Sequence, residues 1–227
     1  MYVDGTELTY SPFSSRELTS PNPLLTLAEA EHRTANEFAL AACSINLIAR
    51  TCSGAAREAL TRAAARLCDY AQAHRALLPP VDSDVLDLSA HLGDICRALS
   101  RASLAERRIA VSLQERPTTI ETWRAWRAGL IVAELITNSA RHGVWPIGGG
   151  IIRVEITADD FEICCRVSDN GRGPKTRSRG TGSHIAEALT REMRGQICTD
   201  FRNDGVTTLL TVPRHHAWAQ RLGKSAA

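Results

Sequence analysis

Three short stretches in the second half of the chain hold residue types that could handle a phosphorylated ligand. In ELITNSARHG (134–143), Glu134 and Asn138 are four apart, so they share one helix face about a turn from each other. A hard cation such as Mg2+ takes oxygen ligands, and an asparagine carbonyl with phosphate oxygens and water suits it. Arg141 and His142 follow on the same helix, within reach of such a ligand. In SDNGRGP (168–174), Asp169 precedes Gly171 and Gly173 directly after a strand pattern. The glycines let the backbone approach a ligand closely, while the carboxylate can accept a hydrogen bond from an amino group such as that of adenine. In GTGSHI (180–185), Gly180 and Gly182 open a helix whose first amides would point at phosphate. Between the last two stretches, PKTRSR supplies Lys175, Arg177 and Arg179 as cations for the same ligand. Each stretch also has a plain alternative: a solvated Glu/Asn pair, an ordinary turn, a polar loop.

A fourth candidate lies about a hundred residues upstream. EHRTANEF (31–38) places His32 on a long helical stretch with Asn36 one turn on. At about 100° per residue, the apolar stripe of that helix centres roughly 100° from His32, so His32 and Asn36 flank the stripe and face solvent. A structural histidine would sit on the stripe. Glu31 points toward the stripe instead, and Arg33 follows the histidine directly.

The elements that must position these residues follow from hydrophobic period and breakers. Residues 1–23, with Pro12, Pro21 and Pro23, read as a tail. Residues 24–80 read as two helices, from Leu24 to about Arg50 and from about Ala55 to Leu78, joined by TCSG and ended by Pro79-Pro80. Such an antiparallel hairpin leaves its seam wet, which predicts a homodimer through a four-helix bundle. Residues 85–215 switch pattern: an amphipathic stretch (88–106), a strand (109–113), and a long helix (118–143) capped by Thr118 or Thr119 and ended by Gly143. Strands follow at 151–157 and 161–168, then a helix (183–194) and a closing hairpin of 196–202 with 206–212. GGG (148–150) reads as a flexible connector, and residues 216–227 as a second tail. The expected fold is α+β: an N-terminal helical hairpin followed by an α/β two-layer sandwich.

Composition narrows the classes. With 227 residues, 44% hydrophobic and 23% charged, the chain is ordinary globular protein. Its 27 Lys+Arg against 25 Asp+Glu give no field for gripping nucleic acid. No segment reaches the roughly 18 apolar residues needed to span a bilayer, and the start lacks a signal pattern, so a cytoplasmic protein without direct membrane insertion is expected. The seven scattered cysteines suggest buried free thiols in a reducing compartment. His91, His215 and His216 read as surface residues, and His74 as a member of the second helix.

Taken in order, these stretches resemble the ATP-binding domain shared by histidine kinases, gyrase, Hsp90 and MutL. ELITNSARHG is similar to the N box, DNGRG to the first glycine box, GTGS to the second, and GVTTLLTVP to the closing strand of histidine kinases. The resemblance covers about residues 85–213. EHRTANEF and AHRALL (73–78) in turn resemble the histidine kinase subfamily whose phosphoacceptor motif reads H-R-x-x-N. The related class with a histidine heading the N box fits less well, because position 133 is alanine and CRV (165–167) stands where W-x-E would be.

The resemblance implies ATP and Mg2+ as cofactors, with Asn138 on the metal and Arg141, His142, Asp169, Gly171, Gly173, Lys175, Gly180 and Gly182 around the nucleotide. Glu134 would serve catalysis beside Asn138, and His32 would be the phosphoacceptor. The partner would be the receiver domain of a response regulator, which takes the phosphoryl group on an aspartate. Asn36 would either position a water for dephosphorylation or hydrogen-bond the backbone. Many histidine kinases place a carboxylate directly after the histidine to orient its ring; that slot is Arg33 here, which leaves the orienting residue open. Two alternatives keep the layout without the chemistry: a phosphotransferase that relays phosphate without ATP, and a non-catalytic pseudokinase that sequesters a regulator.

Overall fold

The structure is a computed structural model that describes residues 23–80, 83–114, 116–172 and 181–214. Helix α1 (Pro23–Thr51) and helix α2 (Gly54–Ala76) form the expected hairpin. The break between them shrinks to Cys52 and Ser53, because Gly54 starts α2 with a φ of +57°, a left-handed backbone that glycine adopts without strain. The seam is built from alanines: Ala35, Ala42 and Ala49 at sevenfold spacing on α1 meet Ala64 and Ala71 on α2, all buried. Small residues let the helices approach closely, but leucines are left outside. Leu25, Leu40, Leu47 and Ile48 of α1 are 55–69% exposed.

The hairpin is bolted across by Glu31, whose carboxylate Oε2 bonds His74 Nδ1. His74 stacks on Phe38, and Phe38 on Tyr70. The expectation that Glu31 turns toward the seam is met, and His32 and Asn36 are exposed as anticipated.

After the hairpin, strand β1 (Val85–Asp87) leads into α3 (Leu88–Leu99), capped by Asp87 accepting from the Ser89 amide. A π turn (Ser100–Leu104) and a 3₁₀ turn (Ala105–Arg107) precede β2 (Ile109–Gln114). Strand β3 (Thr119–Glu121) pairs antiparallel with β1 and leads into α4 (Thr122–His142). Neither threonine caps α4. Thr118 donates to the Arg116 carbonyl and Thr119 lies in β3, so the ladder with β1 consumes the residues expected to open the helix.

Strands β4 (Gly150–Ala158) and β5 (Glu162–Asp169), helix α5 (Thr181–Glu192), and strands β6 (Gln196–Arg202) and β7 (Gly205–Pro213) complete the chain. The five-stranded sheet runs β2-β4-β5-β7-β6, with only β2 and β4 parallel. Alternation puts Ile152, Val154 and Ile156 on one face, where they join core residues of α3, α4 and α5, while Arg153, Thr157 and Arg166 face outward. One covered face and one wet face make the two-layer sandwich.

Three other expectations fail here. His91 is buried between α3 and α4, because Gly129 leaves room for its ring; a Cβ on Gly129 would lie 2.6 Å from His91 Nε2. All seven cysteines are free, but Cys43, Cys68 and Cys198 are exposed, since the outer faces of the hairpin and of edge strand β6 carry them. The glycines at 148–150 form a fixed turn: Gly149 has a φ of +108°, and the Gly150 amide donates to the Arg108 carbonyl at 2.9 Å. His215 and His216 lie outside the described residues.

Candidate functional site

The last two turns of α4 carry the densest polar chemistry. Leu130, Ile131 and Ile136 anchor the helix to the core and its neighbours, so Glu134 and Asn138 emerge together on its half-buried side. Asn138 Nδ2 donates to Glu134 Oε1 at 2.8 Å. That bond fixes the amide and turns its carbonyl oxygen away, as an oxygen ligand for a hard cation requires. Gly182, in the first turn of α5, packs directly on this pair: a Cβ there would fall within the Glu134 carboxylate. A side chain at 182 would therefore push the Glu134 carboxylate off its present position, across 48 positions of sequence.

Asp169 ends β5 beside Ser139, the residue that follows Asn138 on α4. Its Oδ2 accepts from Ser139 Oγ at 2.6 Å, and its Oδ1 from the amides of Gly171 (3.0 Å) and Val206 (3.2 Å). These donors hold the carboxylate over the Asn170-Gly171 turn. Gly205 closes the same corner, where a Cβ would overlap the Asp169 carbonyl. Gly171 lies against Gly143 and the indole of Trp145, which accounts for the absence of a side chain there by packing as well as by approach to a ligand. The Asn170 side chain accepts from the Ile151 amide at 2.7 Å, and Val144 and Arg172 exchange backbone bonds at 2.8 and 2.9 Å.

The structure thus brings Glu134, Asn138 and Gly182 into contact and seats Asp169 and Gly171 at the C-terminal end of the same helix. Arg141 and His142 occupy the last turn of α4, exposed. Gly173, Lys175 and Gly180 lie outside the described residues. Sequence reasoning passed over Ser139, although its place next to Asn138 put it on the Asp169 side, and Arg107, whose guanidinium caps α4 through the Ala140 carbonyl at 2.9 Å.

The hairpin approaches this region directly. Trp126 Nε1 of α4 donates to the Leu77 carbonyl at the end of α2, 2.8 Å away. Beside that contact is a cavity of about 150 Å³ lined by Leu27 and Glu31 of α1, Leu77, Glu134, Gly182 and Ile185. Glu31 precedes His32, so the residue adjoining the histidine and the carboxylate of the Glu134–Asn138 pair line one space. His32 itself touches Asn36, whose Nδ2 is 3.3 Å from His32 Nδ1.

Similarity to known proteins falls on the same two parts. Residues 97–207 match the family of histidine kinase-like ATPase domains. Blue-light-activated histidine kinases 2 and 1 of Erythrobacter litoralis are 26% and 24% identical to this chain over 196 and 195 residues. Those alignments cover 82% and 83% of this chain and 56% and 52% of the relatives, so the chain spans about half the length of the curated proteins it matches. Among solved structures, the histidine kinase domain of a blue-light activated histidine kinase from Erythrobacter litoralis superposes with a TM-score of 0.56 at 17% identity, over 82% of this chain and 96% of that one. A bacterial phosphotransferase gives the same TM-score at 12% identity, over 83% and 95%. The fold, helices followed by an α/β sheet domain, is that of histidine kinases.

Proposed function

We propose that the chain is a protein-histidine kinase that uses Mg-ATP to phosphorylate His32 and passes the phosphoryl group to an aspartate on a response-regulator receiver domain. It works as a cytoplasmic homodimer through the 24–80 hairpin, with residues 85–215 as the ATP-binding unit. The observation that carries the reading is the shared cavity, where the helix bearing His32 and the Glu134–Asn138–Gly182 cluster meet.

The residues suit such chemistry. Asn138 offers an oriented carbonyl oxygen, and Glu134 holds that amide and contributes negative charge beside it. Asp169, fixed by three donors, keeps acceptor capacity for an exocyclic amino group, as a carboxylate offers about four acceptor sites. Gly171 and Gly182, with Gly173 and Gly180 of the intervening stretch, let backbone approach the nucleotide, and Arg141, His142 and Lys175 add positive charge near phosphate. Phosphoryl transfer asks mainly for positioning and charge neutralisation, the second of which Mg2+ supplies when bound. His32 is exposed on a helix face, as a residue serving first a nucleotide and then a partner must be. Among the described residues no helix is long and apolar enough to cross a membrane.

Incubation with γ-labelled ATP and Mg2+ tests this reading. Wild type should take up acid-labile, alkali-stable phosphate, and His32→Ala should abolish it while ATP still binds by calorimetry. An unlabelled wild type that binds ATP would point to a pseudokinase. One that neither labels nor binds ATP, yet accepts phosphate from a receiver domain, would be a phosphotransferase.

A further inference from the structure

We propose that Asn36 sets the tautomer of His32, holding the ring proton on Nδ1 so that Nε2 is the nucleophile. The proposal rests on the reading of His32 as phosphoacceptor and names the orienting group that the sequence leaves open. The charged neighbours of the histidine are committed elsewhere. Glu31 is half-buried and bonded to His74 Nδ1 across the hairpin, and Arg33 pairs with Glu29 at 3.1 Å. The Asn36 amide, by contrast, has its Nδ2 placed 3.3 Å from His32 Nδ1, one helical turn along on the same exposed face, so a half-turn of the amide puts Oδ1 there. This is the nitrogen an orienting group must meet, because a bond there determines which ring nitrogen keeps the lone pair.

The two ends of an amide have nearly the same shape, and a half-turn brings either against Nδ1. With Nδ2 inward, the neutral ring carries its proton on Nε2 and cannot attack there. With Oδ1 inward, the carbonyl accepts from Nδ1–H and Nε2 is free. The reaction favours the second arrangement. As the Nε2–phosphorus bond forms, the bond from phosphorus to the β–γ bridging oxygen breaks and its electron pair leaves with ADP. The ring then carries positive charge with its Nδ1 proton retained. A carbonyl oxygen on that proton becomes a charge-assisted acceptor, stronger in the transition state than before it. The proton is released to solvent afterwards. An unassisted histidine favours Nε2–H, so a residue that reverses this preference increases the reactive fraction as well.

The test combines tautomer and rate. Nitrogen-15 NMR of selectively labelled histidines, above the imidazole pKa and assigned by difference with His32→Ala, should show His32 as Nδ1–H in wild type and as Nε2–H in Asn36→Ala. Initial labelling from ATP should fall about tenfold in Asn36→Ala. It should return to at least the wild-type rate in Asn36→Asp, whose carboxylate also accepts from Nδ1–H. The position is exposed and alanine favours helix, so circular dichroism of the variant should be unchanged. An Nε2–H ring in wild type, an unchanged tautomer in Asn36→Ala, or an undiminished rate would overturn the proposal. If wild type takes no label from ATP, the kinase reading fails, and the NMR comparison still decides the tautomer on its own.

Discussion

The hairpin and the α/β domain bury their apolar residues in opposite ways. In the domain, large aliphatic side chains such as Leu88, Leu92, Ile131 and Ile152 are fully enclosed by one sheet face and three helices. In the hairpin, alanines fill the seam while Leu25, Leu40 and Leu47 stand more than two-thirds exposed. An alanine methyl contributes only about 0.8 kcal/mol on burial, against about 1.5–3 kcal/mol for a leucine. The hairpin therefore keeps its stronger apolar groups for something outside itself, and the domain keeps its own inside. Self-sufficiency in the α/β half and incompleteness in the hairpin half suit the proposed function, in which the acceptor helices work as a pair.

The comparison breaks most visibly at the exposed leucines. In the proposed homodimer, replacing Leu40 and Leu47 together with glutamate removes four apolar side chains from a symmetric four-helix bundle, at about 1.5–3 kcal/mol each. Light scattering should show a monomer at concentrations where wild type is dimeric, an association weakened by at least about a thousandfold. Thermal unfolding of the α/β domain should stay put. A double variant that remains dimeric would mean the partner helix does not sit on this face.

The converse test sits in the domain. Arg124 is 1% exposed and pairs with Glu121 at 3.0 Å while donating to the carbonyls of Pro213 and Arg214. It ties the start of α4 to the end of β7. Arg124→Ala strands those carbonyls and Glu121, and should cost about 3 kcal/mol of domain stability in urea unfolding. The hairpin has no buried charge of this kind to lose. Its Glu31–His74 pair is partly exposed on both sides.

Between stability and chemistry stands Gly182. Its added Cβ would meet the end of the Glu134 side chain, which can swing aside, so Gly182→Ala should fold almost normally. The displaced carboxylate would release Asn138, however, and labelling from ATP should fall about tenfold or more, the cost of one hydrogen bond to a charged group. Equal loss of stability and activity would make Gly182 a packing residue only.

Much of this contrast was legible in the sequence, for particular reasons. The sevenfold spacing of Ala35, Ala42 and Ala49 and the alternation in 151–157 and 161–168 are periodic, and period survives without knowledge of neighbours. The β1–β3 ladder was missed because three residues carry no period, and that omission misplaced the α4 cap at Thr118 or Thr119. Gly182 could be read as a phosphate-loop glycine, but its contact with Glu134 arises only when α5 packs on α4. His91 looked like a surface histidine because its one-residue accommodation, Gly129, lies 38 positions away on another helix. Contacts between elements decided each case, and a single chain does not display them.

His91 also yields the subtlest separation between the two halves. Burial drives its pKa below the usual 6.5, and the Asp94 carboxylate offsets this only in part. Its Nε2 has no hydrogen-bond partner among the described residues. With the folded pKa lowered, folded and unfolded chains are both neutral at this site above pH 6.5, and no stability is lost there. Below 6.5 the unfolded chain takes up a proton that the folded domain resists, so stability falls as pH falls toward the lowered value. The slope approaches about 1.4 kcal/mol per pH unit at most. Urea midpoints of the domain should therefore drop between pH 6.5 and 5.5, and His91→Leu should flatten that drop while leaving the midpoint at pH 8 little changed. His74 belongs to hairpin helix α2 and not to the core that encloses His91, so His74→Leu should leave the same acid slope in place. If the slope survives His91→Leu and vanishes with His74→Leu, the acid sensitivity belongs to the hairpin, and the closed core of the domain is not where this protein feels pH.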